Sequence, residues 1–597
     1  MNETQVELET QTDTPTRSYR PLRIWPAAVL LLGMVGLRLL SNLSEGSMML
    51  TMLALMGPMV LGIIVMLWWL TFSRATGREK IVGLIATAAA FGLTVFLADK
   101  SMYGPGLMMI TAPMGTGAFA LGAVLMGRNL SFQRTIVAIL LAACGFGYTA
   151  LLRSDGMWGH FALDSHWRWE ESAEQQMMAQ RESAPSSDLA EVSTDVITNW
   201  IEQSEWPRFR GVGGSSQQMG PAIATDWKAQ PPEQVWKIAI GPGWSSFAVA
   251  GNLLFTQEQR IEHEAVVCYA ADTGDEIWIQ QIESRFDDPM GGPGPRATPT
   301  LADGGLYVQG ANGQLQRLDP TTGDVIWSQD LREIAGREPP TWGFSSSPLV
   351  YRSTVVVHAG GEGTKGTLAF DTETGDLKWS ASAGDHTYSS PELCTVGENE
   401  YVLMLTNAGI NLLDPETGKQ RLDYKWEHNG YRVLQPQVVD GDSILLATGM
   451  GVGTRRIRVS QADGQLAAEE LWTSRHLKPD FNDFVIHGNH AYGFDGALFT
   501  SIDLETGKRN WKRGRYGKGQ VLLLANSGHL LIASEFGEII LLSADPGGHQ
   551  ELTRFQAIEG RTWNHPVLVG DRLYIRNSQE AACYKMPMVE ESLPPEV

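Results

Sequence analysis

The chain has 597 residues, of which 43% are hydrophobic and 19% charged, with 64 glycines and 19 tryptophans. This composition is typical of a β-rich repeat protein and differs from that of a disordered chain. A net charge of −21 argues against nucleic acid as a partner, because phosphate binding needs a basic surface.

The cysteines are sparse and scattered, at Cys144, Cys268, Cys394 and Cys583. No CxxC or CxxCH spacing occurs. The sequence therefore does not support a disulfide framework, a zinc knuckle or a covalently attached c-type haem.

The N-terminal quarter contains consecutive apolar runs. Each has about the 17–25 residues that a helix needs to cross a bilayer. Arg38 alone interrupts them, near the end of the first run, where its side chain can reach the headgroups. We expect a cytoplasmic tail at 1–23 and a five-helix transmembrane domain at 24–152, with spans 24–40, 48–72, 81–98, 106–127 and 135–152.

The basic residues that flank these runs predict their orientation. Eight lie on one side, at Arg17, Arg20, Arg23, Arg74, Arg78, Lys80, Arg128 and Arg134. Three lie on the other, at Arg38, Lys100 and Arg153. This asymmetry places the N-terminus in the cytoplasm of a bacterial cell and everything after residue 152 on the periplasmic, outer side of the cytoplasmic membrane.

Two alternatives and a linker complete this region. The first run could be a cleaved signal peptide, although four more runs follow it and no clear small-residue cleavage site is present. LAAC (141–144) resembles a lipidation box, and a plain helix cysteine is the alternative. Residues 153–205 are expected to form a juxtamembrane linker with one or two short helices and a flexible break at APSSD (184–188).

One short turn recurs through the rest of the chain. Its copies are DTGDEIW (272–278), DPTTGDVIW (319–327), DTETGDLKW (371–379), DPETGKQRL (414–422) and DLETGKRNW (503–511). With the variants at Gly464 and Gly547, the glycines are spaced by 49, 52, 43, 46, 43 and 40 residues. A period in the forties with strand-like sequence between the turns predicts the four-stranded blades of a β-propeller.

The turn chemistry explains the repeat. An Asp such as Asp371 can accept backbone amides a few residues on, and the Gly supplies a positive φ. A Trp such as Trp379 follows four residues later and is expected to wedge between neighbouring blades. Blades four and five have Leu422 and Ala468 there instead, which predicts a bulge or a longer turn in both.

A second recurring element leads into each innermost strand. We count eight such lead-in turns: WSSF (244–247), RATP (296–299), SSSP (345–348), YSSP (388–391), VLQP (433–436), FNDF (481–484), KGQV (518–521) and NHPV (564–567). The last blade lacks a strand, and EQVWKIAI (233–240) is available upstream to complete it. The sequence therefore predicts an all-β, eight-bladed β-propeller over 206–586, closed by that strand, with a tail at 587–597.

The A/D-x-x-T-G-x-x-x-W pattern resembles the repeat of the PQQ-like β-propeller family, and the resemblance begins at WPRFRG (206–211). That family includes quinoprotein alcohol and glucose dehydrogenases, as well as BamB-like propellers that bind protein partners without a cofactor. Five membrane helices before a propeller also resemble membrane-bound quinoprotein glucose dehydrogenase. The repeat is specific for the fold and weak for function.

The resemblance implies what a dehydrogenase would need: an Asp base, Ca²⁺ ligands, a positive group and flat groups around the quinone. Soluble members use a ring of two adjacent cysteines, which this chain lacks, whereas the membrane glucose dehydrogenases manage without it. No cofactor is assigned on this basis. PQQ with Ca²⁺ is expected only if the enzyme hypothesis holds, with membrane quinone or an outside partner as the electron acceptor.

Candidate site residues come from the lead-in turns, because these turns crowd around one mouth of the central channel. A small-molecule ligand pocket or a simply polar, crowded channel are both open interpretations. Asn482 and Asp483 could serve as metal ligand and catalytic base, or as capping and turn residues. The candidates are Trp244, Ser246, Arg296, Trp342, Ser346, His386, Tyr388, Arg432, Gln435, Asn482, Asp483, Arg515, Gln520, Trp563, Asn564 and His565.

Other motifs have a purely structural interpretation beside the functional one. Asp287 and Asp288 in RFDDPMGGPGPRATP (285–299) could bind Ca²⁺ or make a rigid turn. The acidic residues of QEQRIEHE (257–264) are expected on two faces of a hairpin, and GMGVG (449–453) precedes a strand, unlike a phosphate loop. The triplet Arg455, Arg456 and Arg458 is interpreted as ordinary surface or packing.

Three functions therefore remain open. The first is a membrane-anchored binding or scaffolding module with a protein partner, in envelope protein assembly. The alternative is a PQQ-dependent, quinone-linked dehydrogenase of a sugar or an alcohol. The third is a sensor whose membrane helices relay ligand binding.

Overall fold

A computed structural model describes residues 19–40, 48–181, 192–220, 222–462 and 464–589. The chain divides into two compact units, one of Met1–Ser154 with Ser165–Arg168 and one of Asp155–Asp164 with Trp169–Val597. Most of the predicted tail at 1–23, the APSSD segment and residues 590–597 lie outside the described residues.

The first unit is helical, as the apolar runs predict. Its α-helices are α1 Ile24–Leu40, α2 Met48–Thr71, α3 Gly77–Leu97, α4 Ala112–Leu125 and α5 Gln133–Ala150, with a 3-10 turn at Lys100–Met102 and a π-helical turn Leu107–Thr111 that leads into α4. Among the described residues, four helices are long and apolar enough to cross a membrane, and α1 is a shorter apolar helix.

Helix α3 begins four residues before the predicted span because a capping box starts it. The Thr76 hydroxyl accepts from the Glu79 backbone N–H at 3.4 Å, and the Thr76 N–H donates to the Glu79 carboxylate at 2.7 Å. The same carboxylate forms a bidentate ion pair with Arg134 of α5, at 2.8 and 2.9 Å, and both side chains are buried. The pair ties together the first turns of two helices.

The second unit contains the propeller and most of the predicted linker, apart from residues 153–154 and 165–168. The linker region holds a hairpin of Leu152–Met157 and Leu163–Trp167, followed by α6 Ala173–Arg181 and α7 Thr194–Glu202. Trp200 of α7 packs against Gly251, where an added Cβ would lie 2.2 Å from the indole.

The propeller has eight sheets, one per blade, and confirms the predicted fold. Blades one to four comprise Ala248–Ala250, Leu253–Arg260, His263–Ala270 and Glu276–Glu283; Thr300–Ala302, Gly305–Gln309, Gln314–Leu318 and Val325–Asp330; Leu349–Tyr351, Thr354–His358, Thr367–Asp371 and Leu377–Ala381; and Glu392–Val396, Asn399–Thr406, Gly409–Leu413 and Gln420–Lys425. A two-stranded ribbon of Asp287–Asp288 and Gly292–Pro293 precedes blade two, and a short helix, α8 Leu331–Ala335, follows blade two.

The remaining blades continue the same order from the inner to the outer strand. Blades five to eight comprise Gln437–Asp440, Ser443–Thr448, Gly453–Ala462 and Gln465–Ser474; Val485–His487, His490–Asp495, Leu498–Asp503 and Arg509–Arg515; Gln520–Leu524, His529–Ala533, Glu538–Ser543 and Glu551–Gln556; and Val567–Val569, Arg572–Arg576, Glu580–Lys585 and Glu233–Ala239. A 3-10 turn, Val212–Gly214, precedes the strand Gln217–Gln218, which adds to blade seven.

Ring closure follows the predicted route. Glu233–Ala239 pairs antiparallel with Glu580–Lys585, and Trp236 lies opposite Cys583. A strand from before blade one thus completes blade eight, so that neither end of the ring keeps an open edge there.

The repeated Trp residues dock onto the turn of the next blade. The Trp327 indole N–H donates to the Thr372 carbonyl at 2.8 Å, and its ring covers Gly375, where an added Cβ would meet the ring at 2.7 Å. The turn glycine is therefore needed for contact as well as for its positive φ. The same indole-to-carbonyl bond joins Trp236 to Ala271, Trp278 to Pro320, Trp379 to Pro415, Trp472 to Leu504 and Trp511 to Asp545.

A β-bulge accompanies this position in all eight blades, rather than in blades four and five alone. In blade four, Leu422 simply replaces the Trp and pairs with Leu412. Blade five has a longer hairpin, with ten residues in each outer strand, and this extension moves Trp472 further from Gly464. Trp472 still covers Gly507 of blade six.

Candidate functional site

The lead-in turns of blades one to four are linked by hydroxyl groups. The Ser246 N–H donates to the Thr298 hydroxyl at 3.0 Å, and the Thr298 N–H donates to the Ser347 hydroxyl at 2.9 Å. The Ser347 N–H donates in turn to the Ser390 hydroxyl at 2.9 Å. The small polar residues of WSSF, RATP, SSSP and YSSP thus form a ring of hydrogen bonds between neighbouring blades. Ser346 accepts from Gln309 at 3.3 Å beside this ring.

Other candidates extend the ring through the last blades. Gln520 accepts from the Asp483 N–H at 2.9 Å and donates to the Trp563 carbonyl at 3.0 Å. The amide of Asn564 donates to the Ser245 carbonyl at 2.7 Å. Asn482 accepts from the Asp480 N–H, as a turn residue does. Gln435 and Arg432 are buried in the turn before blade five, where Arg432 lies over the Trp426 ring.

The segment Trp206–Gln218 lies across the central channel. It contacts residues at or beside the innermost strand of six blades, although its own secondary structure is slight. Its partners are Val249 of blade one, Leu301 of blade two, Glu392 of blade four, Phe484 and Ile486 of blade six, Leu523 of blade seven and Leu568 of blade eight. We call Trp206–Gln218 the channel segment.

A buried charge cluster joins the channel segment to the lead-in turns. The Arg210 Nε lies 3.3 Å from the Asp483 carboxylate and 2.7 Å from the Ser216 hydroxyl. That hydroxyl lies 2.9 Å from the Nε2 atom of His565, whose ring faces Asp483 at 3.9 Å. Arg210, Ser216, Asp483 and His565 are all at most 3% exposed. Asp483 and His565 of the predicted site thus come together, around an arginine that the prediction did not include.

Burial controls the protonation of this cluster. Loss of solvent raises the pKa of Asp483, and the nearby Arg210 guanidinium opposes this shift. Burial lowers the pKa of His565 to about 3, and Arg210 adds to that shift. The imidazole is therefore neutral at physiological pH. Burial also raises the pKa of Glu392, against the attraction of Arg208 at 2.8 Å.

Two aromatic candidates hold a second arginine. The guanidinium of Arg561 lies 5.0 Å from the Trp244 ring and 4.6 Å from the Trp563 ring. It also donates to the Asp155 carbonyl at 2.6 Å and to the Met157 carbonyl. Arg561 thus joins residues 155–157 to these two rings.

The remaining aromatic candidates form a separate cluster at the same end of the blades. Trp342 lies 5.1 Å from Tyr388 and 4.4 Å from Tyr431, and His386 packs edge-on against Tyr388. The Tyr388 hydroxyl accepts from the Trp342 N–H at 3.1 Å. These aromatic side chains pack mainly against one another. A surface pocket of about 380 Å³ is lined by Arg332, Glu333, Gly336, Arg337 and Glu338.

Two predicted residues lie apart from the channel cluster. Arg296 pairs with Asp288 and stacks on Phe286, which leaves the acidic pair without a shared metal position. Asp288 also accepts from the Gly291 N–H at 2.8 Å, as the rigid-turn interpretation expects. Arg515 ends the exposed outer strand of blade six and does not belong to a lead-in turn.

A site for Ca²⁺ and PQQ would need clustered oxygen ligands and flat groups around the quinone. Within the described ranges, no three His, Cys, Asp or Glu side chains come together as a metal site. The Asp483 carboxylate is already paired with Arg210. Arg210 and Asp483 by themselves do not make a Ca²⁺ or PQQ site. Glu258 and Glu264 have separate partners, Arg260 at 2.7 Å and the Ala311 N–H at 2.8 Å, as expected for opposite faces.

The residues that the sequence did not indicate are Arg210, Ser216, Tyr431 and Arg561. WPRFRG marked only the start of the repeat domain, yet it supplies Trp206, Arg208 and Arg210 to the channel. Two arginines in a short motif outside any strand pattern were the available signal. Arg561 and Tyr431 each lie within two residues of a predicted residue.

Comparisons with known proteins address the family. The family model described as outer membrane protein assembly factor BamB matches residues 228–341 and 263–513. The propeller is therefore similar to BamB, and it carries PQQ-like repeats. Outer membrane protein assembly factor BamB of Escherichia coli K12 is 24% identical over 302 residues, which cover 47% of this chain and 71% of that protein. The protein of the same name from Alteromonas naphthalenivorans is 24% identical over 249 residues, 37% of this chain and 56% of that protein.

Solved structures also align with part of this chain. BamB from Moraxella catarrhalis covers 60% of this chain and 100% of its own, with 14% identity and a TM-score of 0.43. Quinohemoprotein alcohol dehydrogenase ADHIIG from Pseudomonas putida HK5 covers 68% of this chain and 83% of its own, with 13% identity and a TM-score of 0.47.

Proposed function

We propose that this BamB-like propeller is a protein-binding scaffold in envelope protein assembly, held at the membrane by its N-terminal helices. One observation carries the proposal: the channel segment contacts residues at or beside the innermost strands of six blades and so lies across the centre of the ring. Its contacts with six blades and the buried Arg210–Asp483 pair leave the outer surfaces of the blades for partners. The names of the relatives, outer membrane protein assembly factors, agree with this role.

The proposal includes a location. The chain sits in the cytoplasmic membrane of a bacterium as a multi-pass protein, with the propeller on the outer, periplasmic side. The excess of arginine and lysine on one side of the apolar runs supports this orientation. Protease added to spheroplasts should then digest the propeller. Protection of the propeller until the cells are lysed would contradict this topology.

Partner binding can be tested with the full chain in nanodiscs. An immobilised nanodisc that carries the protein should retain an unfolded outer-membrane β-barrel precursor, whereas an empty disc should not. A folded soluble protein of similar size serves as the control ligand. Equal retention by loaded and empty discs would contradict the scaffold function.

The dehydrogenase remains the second candidate, because a buried carboxylate with a raised pKa lies beside an arginine. The full chain should be incubated with PQQ and Ca²⁺ and supplied with alcohols and aldoses, and dye reduction should be followed. The scaffold proposal expects none. Turnover that Asp483→Asn abolishes would instead identify an enzyme.

A further inference from the structure

The outer edge of blade six is unusually basic for an acidic protein. Five lysines and arginines lie between Lys508 and Arg515, and no Asp or Glu occurs from Thr506 to Ser534. The chain as a whole has a net charge of −21. A local excess of this size needs a physical reason, because like charges side by side repel one another.

The other basic cluster of the chain has no such excess. Arg456 pairs with Asp440 at 2.9 Å, and Arg458 pairs with Asp442 at 3.3 Å. Arg455 pairs with Glu470 at 3.0 Å. Each of these arginines has its own carboxylate, so the triplet is neutralised within blade five.

In blade six a single carboxylate serves three cations. Asp495, which is 4% exposed, lies 3.1 Å from Lys478, 3.3 Å from Arg509 and 2.8 Å from Lys512. One negative charge thus faces three positive ones. Two positive charges therefore remain in excess around Asp495, and water and mobile ions compensate them.

Two further cations widen the patch. Lys508 and Arg513 are exposed, and neither has an ion-pair partner among the residues that the structure describes. Arg515 continues the same exposed strand. We call Lys478, Lys508, Arg509, Lys512, Arg513 and Arg515 the blade-six basic patch.

We infer that the blade-six basic patch binds the acidic phospholipid headgroups of a membrane surface. Several cations on one exposed edge match a field of phosphate groups, and each contributes by attraction that does not need a shaped pocket. A bilayer is also an expected partner for this chain, because four of its described helices are long and apolar enough to cross one. The inference does not depend on the proposed scaffold function.

The test uses the full chain in nanodiscs of neutral phosphatidylcholine. These discs are mixed with vesicles of phosphatidylcholine, with or without phosphatidylglycerol, and the vesicles are floated. We expect the protein to float only with the phosphatidylglycerol vesicles, and to be released by salt at a Debye length of about 3 Å. Flotation with both vesicle types, or with neither, would overturn the inference.

Matched variants locate the binding surface. Lys508→Gln with Arg513→Gln should weaken vesicle binding about fivefold for each charge removed. The control, Arg352→Gln with Arg458→Gln, removes the same charge from exposed positions on blades three and five and should have little effect. Equal losses from both pairs would show that net charge alone is responsible and would refute the assignment.

Competitors distinguish the headgroup from other anions. Inorganic phosphate at the ionic strength of the buffer should not displace the vesicles, whereas phosphatidylglycerol micelles should. If phosphate competes as well as the micelles do, the patch is a free-anion site. If polyglutamate competes better than either, its partner is an acidic protein. Either result would overturn the lipid assignment.

Discussion

Arg210 and Asp483 form a buried ion pair in the middle of the propeller, 3.3 Å apart, with one partner from the channel segment and the other from blade six. The pair fastens an irregular stretch of chain to the ring. Because both groups are shielded from water, each depends on the other for its charge to be tolerated.

Removing one partner should therefore be costly. Arg210→Ala leaves the Asp483 carboxylate buried alone, and we expect the free energy of unfolding to fall by about 3–5 kcal/mol. Urea unfolding of the full chain, followed by tryptophan fluorescence, measures this loss. Arg352→Ala, which removes an exposed pair with Glu416, should cost at most about 1 kcal/mol.

The double variant Arg210→Ala with Asp483→Asn separates charge from packing. It removes both charges and should recover part of the stability that Arg210→Ala loses. A single Arg210→Ala that unfolds no earlier than Arg352→Ala would show that the pair does not hold the channel segment.

His565 should make the propeller sensitive to acid. Its folded pKa of about 3 lies below the ordinary value of 6.5, so the unfolded chain binds the proton first as the pH falls. The contribution is fully present above pH 6.5 and is lost progressively towards pH 3. Between pH 6.5 and 4.5 this amounts to about 2–3 kcal/mol. His565→Gln should flatten the pH dependence of the urea midpoint, and His160→Gln, at an exposed site, should not.

Asp483 has the opposite sign. Its raised pKa means that the folded protein takes up a proton before the unfolded chain does, so acid relieves the cost of the buried charge. Asp483→Asn should therefore steepen the loss of stability at acid pH, as seen in the same urea series. A flatter profile in this variant would contradict the assigned direction.

The docking glycines can be tested against a matched turn. Gly375 and Gly304 both have positive φ, at 75° and 69°, but only Gly375 lies under a Trp ring. Gly304→Ala should cost about 1 kcal/mol through backbone strain alone. Gly375→Ala should cost about 1–3 kcal/mol more, because its Cβ would displace Trp327. Equal decreases in melting temperature for the two variants would mean that the Trp327 ring can move away from residue 375 at little cost.

Arg561 should control the access of a protease to residues 155–160. Arg561→Gln removes the cation between Trp244 and Trp563 and weakens the bonds to the Asp155 and Met157 carbonyls. We expect protease cleavage within 155–160 to become about tenfold faster, since local opening needs less free energy. Arg554→Gln, on the outer strand of blade seven, is the control and should leave cleavage unchanged.

The ring was predictable because its cause is repetitive. Each blade carries Asp, Gly and Trp at fixed offsets, and each offset serves a contact that recurs around the axis, such as Trp327 on Gly375. The closing strand at Glu233–Ala239 was predictable for a related reason, since the last blade lacked one strand and an unpaired alternating run was available.

The channel was harder to predict because its contents do not repeat. Trp206–Gln218 has neither helical nor strand periodicity. Its Arg210 and Ser216 meet partners beside blades six and eight that only the closed ring brings near them. The lead-in turns were predicted to crowd around one mouth of the channel, and hydrogen bonds join them between neighbouring blades. Their small polar residues, such as Ser246, form hydrogen bonds between blades, and residue type alone does not predict these bonds. Whether the candidate residues bind a ligand stays a prediction.

The strand that closes the ring has a consequence for biosynthesis. Gln234 and Tyr584, which meet across the seam, are 350 residues apart, so the ribosome makes one long before the other. During that interval Glu233–Ala239 has no partner within its own sheet, and nascent chains with an exposed strand are prone to associate with each other. Completion of the propeller must therefore wait for the final blade, and a chaperone that shelters the first strand would raise the yield of closed rings.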